Sequence, residues 1–180
     1  MEFVDVVNTR TSVRGFSSKP VEDEKILYIL ECARRAPSWM NKQCWRFIVI
    51  REKEVIQEIA QTSVINRWLK NAPVIIVGCA DPLESGKKED KLYYIVDTTI
   101  AFDHLILAAT DAGLGTCWVA GFNEEKVKRL LEIPRRIRIV ALTPLGYPEE
   151  RKGVVEQITK TLLKPQKRKS LEEIVHYDHW

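Results

Sequence analysis

No two cysteines of this chain stand in a CxxC pair: Cys32, Cys44, Cys79 and Cys117 lie 12, 35 and 38 residues apart. That spacing excludes the common zinc and dithiol patterns and leaves four small hydrophobes for a core. A charge excess of one sign is missing too. Twenty-eight Lys and Arg against 25 Asp and Glu leave +3 on 180 residues, so neither nucleic acid nor a membrane surface is expected as a partner. Long apolar runs are also absent. The least charged stretch, 98–123, is interrupted by Asp103, His104 and Asp111, which a bilayer-spanning helix tolerates poorly. Residues 1–5 hold no basic region followed by an apolar one, and a reduced, cytoplasmic protein is expected.

What is present suits one globular domain over 1–180, with 45% hydrophobic and 29% charged residues. Helical spacing of Ile26, Leu27, Ile29, Leu30 and Ala33 predicts a helix over 21–36, stopped by Pro37. Further helices are expected over 54–60, 91–112 and 124–131. The second of these is apolar on nearly every face, which places it at the centre of the domain or in a subunit interface. Runs of β-formers predict strands over Trp45–Ile50, 73–79 and 136–142, with a fourth over 116–120. Residues 81–90 read as a polar loop, either a solvated connection or a mobile lid. In the arm 146–180, 13 of 35 residues are charged; it cannot build a core alone and is expected to lie along a preformed surface, its own or a partner's.

Signatures of chemistry performed by protein side chains are lacking. There is no GxSxG elbow, Walker loop, HExxH or GxGxxG, and His104, His176 and His179 form no recognisable metal set. An enzyme of this kind has to borrow its reactivity from a cofactor. Three clusters remain. Arg10-Thr11-Ser12-Val13-Arg14 sets two guanidinium groups among hydroxyls, either as donors converging on an anion or heterocycle edge or as a solvated basic turn. Residues 36–45, APSWMNKQCW, gather two tryptophans in one loop, surface that calls for a flat ring or a partner subunit. Residues 113–122, GLGTCWVAGF, bracket a short strand with glycines, either for close backbone approach to a ligand or as structural element ends.

These clusters, followed by Leu145-Gly146-Tyr147-Pro148 and the RKSLEEIV ending at 168–175, resemble the FMN-dependent nitroreductases in order and spacing, from about Asn8 to the chain's end. The similarity is to their short single-domain branch. It implies an α+β fold: a three-layer sandwich with a central, mainly antiparallel sheet flanked by helices, and a C-terminal tail exchanged in a dimer. It also implies tightly bound FMN at two sites shared between the chains of a homodimer, with NAD(P)H as transient hydride donor. The expected reaction is ping-pong reduction of a small-molecule electron acceptor such as a nitroaromatic or quinone. Carried over residue by residue, Arg10 meets the FMN phosphate within the Arg10, Thr11, Ser12, Arg14 motif, and Ser12 and Arg14 meet the pyrimidine edge. Pro37, Ser38 and Asn41 come across the interface. The Val119, Ala120 and Gly121 backbone approaches flavin N5, Asn66 touches the flavin, and Arg168 adds a phosphate contact. Cys44 stands where the family usually has Pro, and Ala120 where several larger members have Glu. Other readings of the same motifs are a flavin storage or sensing module and a relative with dehalogenating or flavin-fragmenting chemistry.

Overall fold

The computed structural model describes residues 1–149 and 168–180. Most of the arm 146–180 lies outside the described residues. The elements run α1 (Phe3–Thr9), α2 (Asp23–Arg34), β1 (Trp45–Ile50), α3 (Lys53–Gln61), β2 (Val74–Ala80), β3 (Lys87–Lys88), β4 (Lys91–Leu92), α4 (Tyr93–Asp111), β5 (Gly115–Thr116), α5 (Glu124–Leu130) and β6 (Arg138–Gly146). The protein is α+β, and β1, β2, β6 and β5 form one antiparallel sheet in that order.

The alternation of side chains along β2 builds two cores. Val74 and Ile76 join Ile29, Ala33, Phe102, Leu105 and Ala109 of α2 and α4 on one face. Ile75, Val77 and Cys79 join Ile56, Ile59 and Val127 of α3 and α5 on the other. All seven residues of β2 are buried, as a strand covered on both faces requires. Burial also pushes the Cys79 thiol up to about 12, so it stays a protonated hydrophobe. No described helix is long and apolar enough to cross a membrane.

The structure adjusts several expected boundaries. The strand expected over 136–142 runs on to Gly146 through Pro144, which lies opposite Ile75. Pro144 lacks a donor, and on its other side the ladder is only two pairs long, Gly115 with Gly146 and Thr116 with Leu145. The strand expected over 116–120 shrinks to Gly115–Thr116 and a single bridge from Val119 to Leu142. It breaks because the Cys117 N–H donates to Thr143 Oγ1 at 3.2 Å instead of to a strand. The polar loop at 81–90 contains a short helical turn, Pro82–Glu84, and β3, which pairs with β4. The long helix therefore starts at Tyr93 rather than 91.

Candidate functional site

The first motif leaves α1 and runs beside β5: Ser12 bridges Thr116, and the Val13 N–H donates to the Thr116 carbonyl at 2.7 Å. Gly115 permits this approach, since a Cβ there would lie 2.8 Å from Val13 side-chain atoms. Arg10, Ser12, Thr116, Cys117 and Trp118 then line a cleft of ≈ 270 Å³ closed by Asp103 and Ile106 of α4. Arg14 rests its guanidinium over the Trp68 ring, 5.9 Å from the centroid. Burial raises the Cys117 thiol pKa, while Arg14, a Ser12 hydrogen bond and Arg10 pull the other way, so both cations act on one point.

Burial separates the arginines: Arg67, Arg129 and Arg135 are exposed without a carboxylate partner among the described residues, where solvent screens their charge. Arg34, Arg35, Arg46, Arg51, Arg136 and Arg138 are exposed, and each has a carboxylate partner. Arg10 and Arg14 are the half-buried arginines of the described chain, and neither guanidinium has a carboxylate or hydrogen-bond partner among the described residues. Partial burial of a cation without an anion is unfavourable, and it marks a place prepared for one.

The third motif faces the same region. Val119 buries its side chain and exchanges both backbone hydrogen bonds with Leu142, at 2.9 and 2.8 Å. Its N–H is therefore committed, whereas the N–H groups of Ala120 and Gly121 have no partner among the described residues and both residues are exposed. Asn66 belongs here as well: its Nδ2 donates to the Gly121 carbonyl at 3.0 Å and to Ser63 Oγ at 3.1 Å. The structure thus brings Arg10, Thr11, Ser12, Arg14, Asn66, Val119, Ala120 and Gly121 to one end of the sheet.

Pro37, Ser38 and Asn41 sit elsewhere. Their loop docks on the first turns of α4, where the Trp39 N–H donates to Asp97 Oδ1 at 2.8 Å and the Trp39 ring stacks on Tyr93 at 5.7 Å. From Asp97 to Ile106 is about 14 Å along the helix axis, and no hydrogen bond or ion pair joins the loop to the first motif among the described residues. Arg168 opens the second described stretch, 168–180, whose residues are all exposed. A larger cavity of ≈ 610 Å³ near Phe16, Arg51 and Lys70 ends at Glu149, where the first described stretch stops, and contains none of the expected site residues. Among the described residues, no three His, Cys, Asp or Glu gather as a metal site.

Two residues escaped the sequence reading: Asp103 in the cleft and Asp97 under the loop. For Asp97 a signal existed, a carboxylate among the mostly apolar residues that this helix buries.

Comparison with known proteins gives this geometry a context. The model of the family described as "Nitroreductase family" matches residues 7–65 and 61–147. An Archaeoglobus fulgidus protein provisionally named NADH dehydrogenase/NAD(P)H nitroreductase is 35% identical over 159 residues, 86% of this chain and 90% of its own. The crystal structure of a nitroreductase family protein from Clostridium novyi is 42% identical with a TM-score of 0.81, over 83% of this chain and 87% of that one. An FMN-dependent nitroreductase from Clostridium difficile is 25% identical with a TM-score of 0.79, over 98% and 99%. The chain belongs to the nitroreductase family and is an oxidoreductase of the nitroreductase type.

Proposed function

We propose that the protein works as a homodimer that binds FMN and uses NAD(P)H to reduce nitroaromatics, quinones or related small acceptors. The observation that carries this reading is the pair of half-buried arginines without an anion, Arg10 and Arg14, beside two unpartnered N–H groups at Ala120 and Gly121. That donor set fits FMN, a ligand with a phosphate, a polar ring edge and a ring nitrogen. Arg10 holds the phosphate, with Arg168 as a second cation. Ser12 and Arg14 hold the pyrimidine edge, where the charge of Arg14 favours the reduced, anionic flavin. The Ala120 and Gly121 backbone faces N5, and Asn66 fixes that backbone through the Gly121 carbonyl. The bound flavin supplies the chemistry, accepting hydride from NAD(P)H and passing it to the acceptor. The chain's own contribution is orientation and electrostatics.

Two features support a site shared by two chains. A cleft of ≈ 270 Å³ falls below the roughly 300–1,000 Å³ of ligand pockets, so one chain gives only part of the enclosure. Apolar side chains on α1, α2 and α4 also face outward: Phe3, Val4, Leu27, Ile95 and Val96 are 69, 65, 66, 42 and 46% exposed. A second copy on this face covers them and carries its Pro37, Ser38 and Asn41 toward the first motif.

The test is a visible spectrum of protein purified without added flavin, followed by anaerobic NADH or NADPH and then nitrofurazone or a quinone, with mass in solution by light scattering. Flavin bands that bleach on nicotinamide and return on acceptor, in a dimer, are expected. Protein that stays colourless after incubation with FMN overturns the reading. A yellow protein indifferent to both nicotinamides assigns it to flavin storage or sensing.

A further inference from the structure

Asp97 is a carboxylate with 2% of its surface exposed, on a helix whose other buried positions are almost all apolar. Burial of an ionised group costs several kcal/mol unless hydrogen bonds replace its water, and here the donors come from two separate segments. Asp97 Oδ1 accepts from the Trp39 N–H at 2.8 Å, and Oδ2 accepts from Ser85 Oγ at 3.1 Å. The Cys44 thiol lies 3.9 Å from Oδ2, and burial together with that carboxylate keeps the thiol protonated. The two segments also meet directly. The Trp39 ring packs so closely over Gly86 that a Cβ there would lie 2.8 Å from it.

The loop held this way is strained. Met40, Asn41 and Gln43 have φ of 49, 56 and 51°, the left-handed region, and such conformations cost about 1 kcal/mol or more each in non-glycine residues. Met40 is 72% exposed and gains no packing in return. Within the loop, the Gln43 N–H donates to Ser38 Oγ at 3.0 Å and Gln43 Nε2 to Asn41 Oδ1 at 3.0 Å, so Ser38 and Asn41 share its distortion. Arg46 of β1 donates to the Gln43 carbonyl at 3.3 Å at the loop's far end; beside Ser38 and Asn41 the loop is fixed to the domain by Trp39, and Trp39 by Asp97 with Gly86 and Tyr93.

We infer that Asp97 is the positioning residue of the flavin loop: its carboxylate joins residues 38–43 and the 85–86 turn into one unit, so that Ser38 and Asn41 are presented across the dimer in a single conformation. This rests on the dimeric flavoenzyme reading above. It makes the turn at Ser85 and Gly86, remote in sequence from every motif, a determinant of flavin affinity.

The test compares Asp97→Asn, Asp97→Leu and Gly86→Ala in the full-length protein. FMN dissociation constants come from flavin fluorescence, and kcat and KM for a quinone are measured alongside. Asp97→Leu and Gly86→Ala weaken FMN roughly tenfold or more, whereas Asp97→Asn stays within about threefold because its carboxamide still accepts from Trp39 and donates to Ser85. Ile59→Ala, in the opposite core, lowers the thermal midpoint without moving FMN affinity. Wild-type affinity in Asp97→Leu overturns the inference, as does an equal loss in Ile59→Ala. If Asp97→Leu does not fold, Gly86→Ala, which keeps the carboxylate, decides. Wild-type protein that takes up no FMN overturns the functional reading instead. The flavin-free protein then decides the anchor: a shift of tryptophan emission in Asp97→Leu that vanishes in a Trp39→Phe background supports it, and no shift overturns it.

Discussion

Two charged regions flank the same sheet, and their electrostatics are opposite. Around α5 the charges are matched within the chain: Glu124 accepts from Arg138 Nε at 2.9 Å and from the Ile139 N–H at 3.0 Å. The buried Lys128 lies 3.5 Å from Glu124 and donates to the Arg135 carbonyl at 3.1 Å. Around the first motif, Arg10 and Arg14 have nothing of the kind among the described residues. A matched network at a helix end holds the fold together; an unmatched pair in a cleft waits for a ligand. Variants around the first motif should change binding and leave stability alone, and variants around α5 should do the reverse.

The largest expected effect is on the unmatched side. Arg10→Ala and Arg14→Ala each lower FMN affinity by roughly ten- to a hundredfold, the loss of a hydrogen bond to a charged group. Folding free energy moves by no more than about 1 kcal/mol, because no charged or hydrogen-bonding partner is orphaned and Arg14 gives up only its contact with the Trp68 ring. Flavin fluorescence titration and thermal melting of the flavin-free protein separate the two quantities. A large drop in melting temperature with unchanged affinity would falsify the contrast.

Gly115→Ala comes next, and it should break the separation by acting on both quantities. A Cβ 2.8 Å from Val13 forces the first motif away from β5 at about 1–3 kcal/mol. The same displacement moves Ser12 and Arg14, so melting temperature and FMN affinity fall together. Affinity unchanged in a destabilised variant shows that the motif's register does not matter to the ligand.

The same contrast explains what could be read in the sequence. Strands β1 and β2 and helices α2, α3 and α5 were legible because local pattern and tertiary burial agree, as in β2, where apolar residues run without interruption and all are buried. Pro144 hid the end of β6, since whether a proline interrupts a ladder depends on a neighbouring strand far along the chain. The motifs around Arg10 and Gly121 stood out as composition. Their lack of partners was invisible, because absence of a counter-charge is a property of three dimensions. Asp97 shows the converse, a residue outside every motif whose importance comes from Trp39 and Ser85, 58 and 12 positions away.

On the matched side the effects are smaller. The Asn123 side chain caps α5, accepting from the Lys126 N–H at 2.9 Å, and Asn123→Ala costs about 1 kcal/mol. Chemical denaturation should show that loss with FMN affinity unchanged. A weakened flavin would mean that α5 reaches the site through the 119–122 stretch, and the two regions would no longer be independent.

The smallest effect is conditional on pH, and its sign follows from the ion pair. The Arg138 hydrogen bond, with the Ile139 N–H behind it, holds the Glu124 carboxyl down to about 2 from its ordinary 4.5. A carboxylate depressed in the folded state contributes stability that is fully present above the unfolded value and is lost as pH falls through the folded one. Glu124→Gln removes this titration while keeping a polar side chain of similar size. Wild type and variant should therefore differ in melting temperature at neutral pH and converge between about pH 4.5 and 2. Glu22 and Glu31, also held near 2, titrate in both proteins and cancel from the difference. A gap that persists unchanged to pH 2 would mean that Glu124 stabilises α5 by packing alone and that matched charge contributes nothing there.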